Sequence, residues 1–320
     1  MRKIALSAVA ALTLTAAMPA SAETLRLMTG PQGGVWVPLG GALKGMWEKA
    51  LPGVTIQTLP GAGIANVRGV DEGKAEIGFG NTISTVDGFN GLPPFPKKTE
   101  NVCNLATLYP QYFQIVVLAD AGIKSVADLK GKSLAAQTRG NTAEVVTQHV
   151  LQVFGLTYND LKVNFMASYT DAVSLMKDGH AQAFTLGTTI PSGAVMDLAS
   201  ARDIELLPLD DEKIAALRKI NPGYAAVTIP AGTYPKQTKD VQAVGYATHL
   251  FVSCKLPEAQ VTKMLEAMVA NLGDLVAVNK AIQGLTPKAM AQDIGVPRSE
   301  EHTSELQSHV NLVCRLLLEK

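Results

Sequence analysis

Leu25 and Leu27 alternate with more polar neighbours, and Leu39, Leu43, Met46 and Trp47 recur at i, i+4, i+7 and i+8. The first pattern is that of a half-buried strand, the second that of a helix buried along one face. Between them runs Gly30-Pro31-Gln32-Gly33-Gly34, a turn-forming sequence. The stretch therefore predicts strand, glycine loop, helix. Pro38 falls in the first helical turn, where a missing N–H costs no hydrogen bond, and the loop before it leaves backbone donors unpaired. Those donors and the positive end of the helix dipole make a place for an anion. Glycine turns also join strands to helices without touching a ligand, so this stretch alone leaves both roles open.

The same rhythm recurs along the chain. Val54–Leu59 reads as a second strand, Pro60 to Gly63 turns it into a short helix over 64–72 with Ile64, Val67 and Arg68 at helical spacing, and 76–81 is a third strand. A βαβ succession of this kind implies a parallel sheet with helices on its faces. Gly61-x-Gly63-x-x-Asn66 comes near a dinucleotide-binding fingerprint. Asn66, however, stands where a third glycine must let helix pack on strand, and the helix is short for that unit, so nucleotide binding is rejected. Arg68 is expected to pair with a neighbouring acid.

Residues 91–98 form a loop, and 105–118 is an apolar run, long for one strand, that suits a segment crossing between lobes. A second series follows: a capped helical turn over 125–132, a strand at 133–137, a polar loop Thr138-Arg139-Gly140-Asn141-Thr142, and a helix over 143–154 with Val146, Val150, Val153 and Phe154 on one face. Residues 170–179 form a short amphipathic helix. A strand at 181–186 then runs into Gly187-Thr188-Thr189-Ile190-Pro191, where Pro191 is placed to begin a helix and the threonines to cap it. Residues 204–209 extend again and are expected to return the chain to the first lobe. A strand at 241–252 and a helix at 258–272 complete the pattern.

The two ends stand apart. Residues 1–22 carry Arg2 and Lys3, an apolar run and Ala20-Ser21-Ala22, the signature of a secretory signal, so the mature protein is expected to begin at Glu23. No cysteine follows that point to carry a lipid anchor, and no later apolar run has the length of a membrane span. The reading is an exported, soluble protein without membrane insertion. Residues 298–320 open with a sequence resembling an in-frame translation of a DNA-sequencing adaptor and are read as a non-native tail. That removes His302, His309 and Cys314 as candidate ligands.

The chain has 28 basic and 28 acidic residues, a balance that argues against nucleic-acid or anionic-membrane binding driven by charge. Its length allows two modest cores. Cys103 and Cys254 could pair or remain separately buried thiols, and their spacing leaves both open. His149, His180 and His249 lack metal-ligand spacing, so no metal and no cofactor is expected. Neither His-Glu-x-x-His nor Gly-x-Ser-x-Gly occurs, and no catalytic residue is assigned.

Several longer motifs carry a resemblance. The run Thr29 to Gly41, the loop Gly61 to Asn66, Leu108-Tyr109-Pro110, Ala127 to Lys132 and Ile229-Pro230-Ala231-Gly232-Thr233-Tyr234 together resemble the TAXI family, solute receptors of one class of tripartite ATP-independent periplasmic (TRAP) transporters. The resemblance covers essentially residues 23–297. It departs at Gly140-Asn141-Thr142-Ala143, where the family usually reads Gly-Ser-Gly-Thr, and after Pro297, where the family chain continues differently.

The resemblance implies an α/β, two-lobed periplasmic-binding-protein fold of type II, with two βα lobes joined by crossover hinge strands. Lobe one is expected from 23–111 and 207–297, lobe two from 112–206. It further implies a periplasmic receptor for a small carboxylate such as glutamate, glutamine or 2-oxoglutarate, delivering it to the small and large TRAP membrane subunits. Helix N-termini of both lobes fit that task. The ligand-binding candidates are Gly34, Val35, Trp36, Asn81 and Thr82 in lobe one. In lobe two they are Gly140, Asn141, Thr142, Thr188 and Thr189. Arg139 either grips a carboxylate or is a solvated loop residue. A ligand sensor that contacts a membrane receptor kinase, and an enzyme on the same scaffold, are the competing readings.

Overall fold

The computed structural model describes residues 23–291; the signal segment and the adaptor-like tail lie outside them. The first βα units follow the alternating and helical patterns closely: β1 (Glu23–Met28), α1 (Trp36–Ala50), β2 (Val54–Leu59), α2 (Gly63–Asp71) and β3 (Ile77–Asn81). A helix that periodicity did not reveal, α3 (Thr82–Asn90), comes directly after β3. Its Thr, Ser, Asp, Gly and Asn residues are weak helix formers, and packing against α2 and the later hinge strand holds it in place. The apolar run at 105–118 becomes one long strand, β4 (Cys103–Leu118).

The second series comprises β5 (Ser133–Gln137), α4 (Thr142–Val153), β6 (Lys162–Met166), α5 (Tyr169–Lys177), β7 (Ala183–Thr188), α6 (Gly193–Ala201) and β8 (Ile204–Leu206). Then come α7 (Asp211–Ile220), β9 (Ala225–Ile229), β10 (Val241–Val252), α8 (Glu258–Ala270), α9 (Leu272–Val278) and α10 (Pro287–Met290). Strand β6 also escaped the sequence pattern. The helix expected over 258–272 is α8, which ends two residues earlier, and a further helix, α9, follows Asn271. Pro191 does not open a helix: Thr188 ends β7, and α6 begins after Ser192, so the threonines cap nothing.

The strands form a continuous sheet in the order β2-β1-β3-β10-β4-β7-β5-β6, with β8 beside β4 and β9 beside β10. Pairing is parallel within each half, β1 with β2 and β3, and β5 with β6 and β7. It is antiparallel along the long strands β4 and β10 that run through both halves. These two are the hinge strands of a mixed α/β, two-lobed fold. One lobe centres on Leu25, Leu27, Trp47, Ile56, Phe79 and Met264. The other has a core on each sheet face, Val117, Leu134, Val146 and Leu217 on one and Ala135, Phe184, Leu186 and Val195 on the other. Residues 204–209 do not return the chain to the first lobe. Strand β8 pairs with Val116–Leu118 and α7 packs on α4, and the return lies within β10.

Cys103 and Cys254 form a disulfide beside the first-lobe ends of β4 and β10, where Cys103 is already the register partner of Val252. Among the described residues Arg68 makes no direct ion pair; its guanidinium donates to the Pro94 carbonyl and lies over the Phe95 ring, and its charge reaches Glu72 only at longer range.

Candidate functional site

Where the two lobes face one another, the first turns of α1, α2, α3 and α4 converge on one narrow cleft. The first-lobe wall is Pro31, Gly34, Val35, Trp36, Gly63 and Asn81. Asn141, Ala143, Tyr169, Gly187 and Thr188 form the opposite wall, and Gln111 of β4 with Tyr246 of β10 come from the hinge strands. The lobes stand nearly shut on one another: the cavity between them is about 20 Å³, room for little more than one water molecule.

None of α1, α2 and α3 has a side-chain hydrogen bond at its N-cap. Val35 and Ala62 have no polar group to supply one, and the first-turn N–H groups of such helices seek outside acceptors. On the second lobe, Asn141 Oδ1 caps α4 by accepting from Ala143 N at 2.8 Å. Direct bonds close the lobes on each other. Tyr169 N donates to the Gln32 carbonyl at 3.1 Å, Ala65 N donates to the Gly140 carbonyl at 3.0 Å, and the Ser84 and Thr142 hydroxyls meet at 2.8 Å.

Gln111 ties the hinge to both walls. With its amide oriented to suit Gly187, Trp36 and Thr248, its nitrogen donates to the Gly187 carbonyl at 2.9 Å, and its oxygen accepts from Trp36 Nε1 at 3.3 Å and Thr248 Oγ1 at 2.5 Å. Trp36 is both core and wall: it is 6 % exposed, stacks on Phe79 at 5.5 Å and lines the cleft. Tyr246 differs from Gln111 in having a buried hydroxyl without a partner. Burial, with Tyr169 and Tyr224 nearby, pushes its pKa well above the usual tyrosine range, so the phenol keeps its proton. Asn66, a residue singled out as a fingerprint mismatch, is the buried clamp beneath the wall. Its Oδ1 accepts from Ala62 N at 2.9 Å, and its Nδ2 donates to the carbonyls of Thr29 at 2.7 Å and Phe79 at 2.9 Å.

Of the residues expected at the site, Gly34, Val35, Trp36, Asn81, Asn141 and Thr188 line the cleft. Thr142 and Gly140 lie in the lobe contact beside it, and Thr82 Oγ1 accepts from Ala247 N of the hinge at 3.3 Å. Thr189 is buried but does not reach the lining. Arg139 is exposed, with its guanidinium 5.7 Å from the centre of the Phe165 ring, away from the cleft. Gln111, Tyr169 and Tyr246 were not foreseen. A glutamine inside the apolar run at 105–118 was the one local signal; the tyrosines gave none. Among the described residues no charged side chain lines the cleft, and no group of three His, Cys, Asp or Glu converges as a metal site. No helix of the described residues is long and apolar enough to cross a membrane.

A two-lobed sheet with a cleft at its hinge is the periplasmic-binding-protein fold, and solved structures match it over most of their length. PhnD1 from Prochlorococcus marinus (MIT 9301), solved with methylphosphonate, is 14% identical, with 89% of this chain and 98% of that one covered at a TM-score of 0.55. The periplasmic binding protein BugD is 11% identical, with 93% and 97% covered and a TM-score of 0.55. Another structure, described as a periplasmic transporter, is 12% identical, with 92% and 96% covered and a TM-score of 0.52. At these identities the likeness shows the fold. The model of the NMT1-like family matches residues 27–300, and the chain belongs to that family.

Proposed function

We propose that this protein is an exported solute receptor that closes its two lobes on a small carboxylate and delivers it to the membrane subunits of a TRAP transporter. The observation that carries the reading is the convergence of three uncapped first-lobe helix N-termini on a cleft whose other wall is the capped start of α4. Fixed backbone donors hold an anion with little reorganisation when lobes shut, and need no catalytic group. Delivery to TRAP subunits rests on the opening motif Thr29 to Gly41 and the Pro230 to Tyr234 run, which resemble the TAXI receptors. The first of these builds the loop and first turn of the cleft wall. The secretory signature and the Cys103–Cys254 disulfide favour the periplasm, an oxidising compartment.

A thermal-shift screen against carboxylates, phosphonates and sulfonates tests the reading. A cognate acid at about 100 times its dissociation constant adds about 2.7 kcal/mol of stability, a visible rise in Tm. A folded sample that responds to no carboxylate overturns the carboxylate assignment, and a response to a phosphonate or sulfonate alone reassigns the cargo.

A further inference from the structure

The run Ile229 to Tyr234 carries part of the resemblance to the TAXI receptors, yet none of its residues lines the cleft. It builds instead a loop between β9 and β10 that is braced on itself. Gln237 Nε2 donates to the carbonyls of Ile229 at 3.2 Å, Pro230 at 3.0 Å and Lys239 at 3.0 Å. Ala231 N donates to Asp240 Oδ1 at 2.8 Å, and Tyr234 N donates to Gln237 Oε1 at 3.2 Å. The Tyr234 side chain is buried, 3 % exposed.

Its phenol meets two elements that carry the second-lobe wall. It donates to Gln114 Oε1 of the hinge strand β4 at 2.5 Å and accepts from Ser192 N at 2.9 Å. Burial pushes its pKa above the usual tyrosine range, so it keeps the proton it donates. Gln114 lies beside Leu186 in the sheet, in the register that sets Gly187 beside Phe113 and Thr188 beside Tyr112. Ser192 closes the turn over 189–192 that leads from the wall residue Thr188 to α6. That turn has few polar holds of its own. Pro191 has no N–H, and the Ser192 hydroxyl is buried without a partner and does not cap α6. Gln114 Nε2 is unpartnered too, which leaves the phenol as the hold on that amide. A buried N–H deprived of its acceptor must find another, and Ser192 would have to move to do so.

We propose that Tyr234 is a positioning residue of the receptor: from outside the cleft, its hydroxyl fixes the 189–192 turn against the hinge strand and so keeps the Gly187–Thr188 wall where it binds ligand. This rests on the receptor reading above and adds to it a residue that touches no ligand.

Hydrogen–deuterium exchange, with titration calorimetry against L-glutamate, L-glutamine and 2-oxoglutarate, tests it on the parent and on Tyr234→Phe, which keeps the ring and removes the hydroxyl. Amides of 189–196 should exchange at least about 10-fold faster, while those of β1 and α1 stay unchanged. The acid that the parent binds should be held about 5-fold more weakly, measured well below the Tm, where a loss of overall stability alone leaves affinity in place. Gln114→Leu removes the phenol's other partner and should weaken binding in the same direction; it carries the test where Tyr234→Phe does not fold. Unchanged exchange over 189–196, or faster exchange with unchanged affinity, overturns this inference and leaves the receptor reading standing. A parent that binds none of the three acids removes the carboxylate reading, and the exchange of 189–196, faster or unchanged, then decides this inference alone.

Discussion

The Thr142 hydroxyl occupies the position where a side chain on Gly63 would begin. A β-carbon on Gly63 would collide with Thr142 Oγ1 and stand 3.0 Å from Asn81 Nδ2, while the same hydroxyl bonds Ser84 Oγ at 2.8 Å. The start of α4 is thus seated directly on the start of α2, one lobe against the other.

Gly63→Ala is therefore predicted to prop the lobes apart without unfolding either. Ligand affinity should fall by about tenfold or more, and Thr142→Ala in the same chain should restore part of it by vacating the space. Titration calorimetry and small-angle scattering with and without ligand check this. A Gly63→Ala protein that binds and compacts like the parent would show that closure does not pass through this contact.

Asn66 holds the glycine loop, the end of β1 and β3 together through four hydrogen bonds, to Ala62 N and to the Met28, Thr29 and Phe79 carbonyls, in a fully buried setting. Asn66→Ala takes the partner from one backbone donor and a hydrogen bond from each of three carbonyls, and is predicted to cost about 3 kcal/mol or more. Urea denaturation at neutral pH measures it. A loss below about 1 kcal/mol would mean that water enters and replaces the amide.

The disulfide closes a sequence separation of 151 residues around the second lobe. Its removal by reduction or by paired Cys103→Ala and Cys254→Ala substitutions is predicted to lower stability by about 2–5 kcal/mol. Both ends lie in the first lobe, so ligand affinity at room temperature should change little. Melting curves with and without reductant separate the two effects, and an unchanged Tm would contradict the prediction.

A half-buried carboxyl and a buried imidazole oppose each other in pH. Asp87 on α3 accepts from Asn221 Nδ2 at 3.0 Å, and burial pushes its carboxyl up to about 6. Burial holds His249 down, to about 3, with Nε2 2.7 Å from Thr85 Oγ1 and Nδ1 2.9 Å from Asn104 Oδ1. The native state keeps a proton on Asp87 that the unfolded chain gives up above about pH 4, so Asp87 lowers stability as pH rises to about 6. It refuses on His249 a proton that the unfolded chain accepts below about 6.5, so His249 raises stability over the same window. Asp87→Asn removes the first slope, and its stability should climb more steeply than the parent's between about pH 4 and 6.5. Denaturation midpoints across that range decide it; parallel curves would exclude Asp87 as a titrating contributor.

The first βα units were legible because their signals are local. Leu25 and Leu27 alternate, Leu39 to Trp47 follow the helical period, and Gly30 to Gly34 break both. Helix α3 was not, since Thr82 to Asn90 carries little helical propensity and takes its form from neighbours far along the chain. The return crossing was misplaced for a similar reason: a short extended run at 204–209 does not say which strand it will pair with, and Val116–Leu118 proved to be its partner.

By itself, then, the sequence determined the α/β class, the glycine-rich helix starts and six of the cleft-lining residues, because periodicity, turn chemistry and N-terminal donors act within a few residues. The tertiary structure alone decided that Cys103 meets Cys254, that Gln111 and Tyr246 floor the cleft, and that Arg139 turns away from it. Those outcomes depend on partners tens to more than a hundred residues distant, whose meeting is set by strand order and lobe packing, and no local pattern records such a meeting.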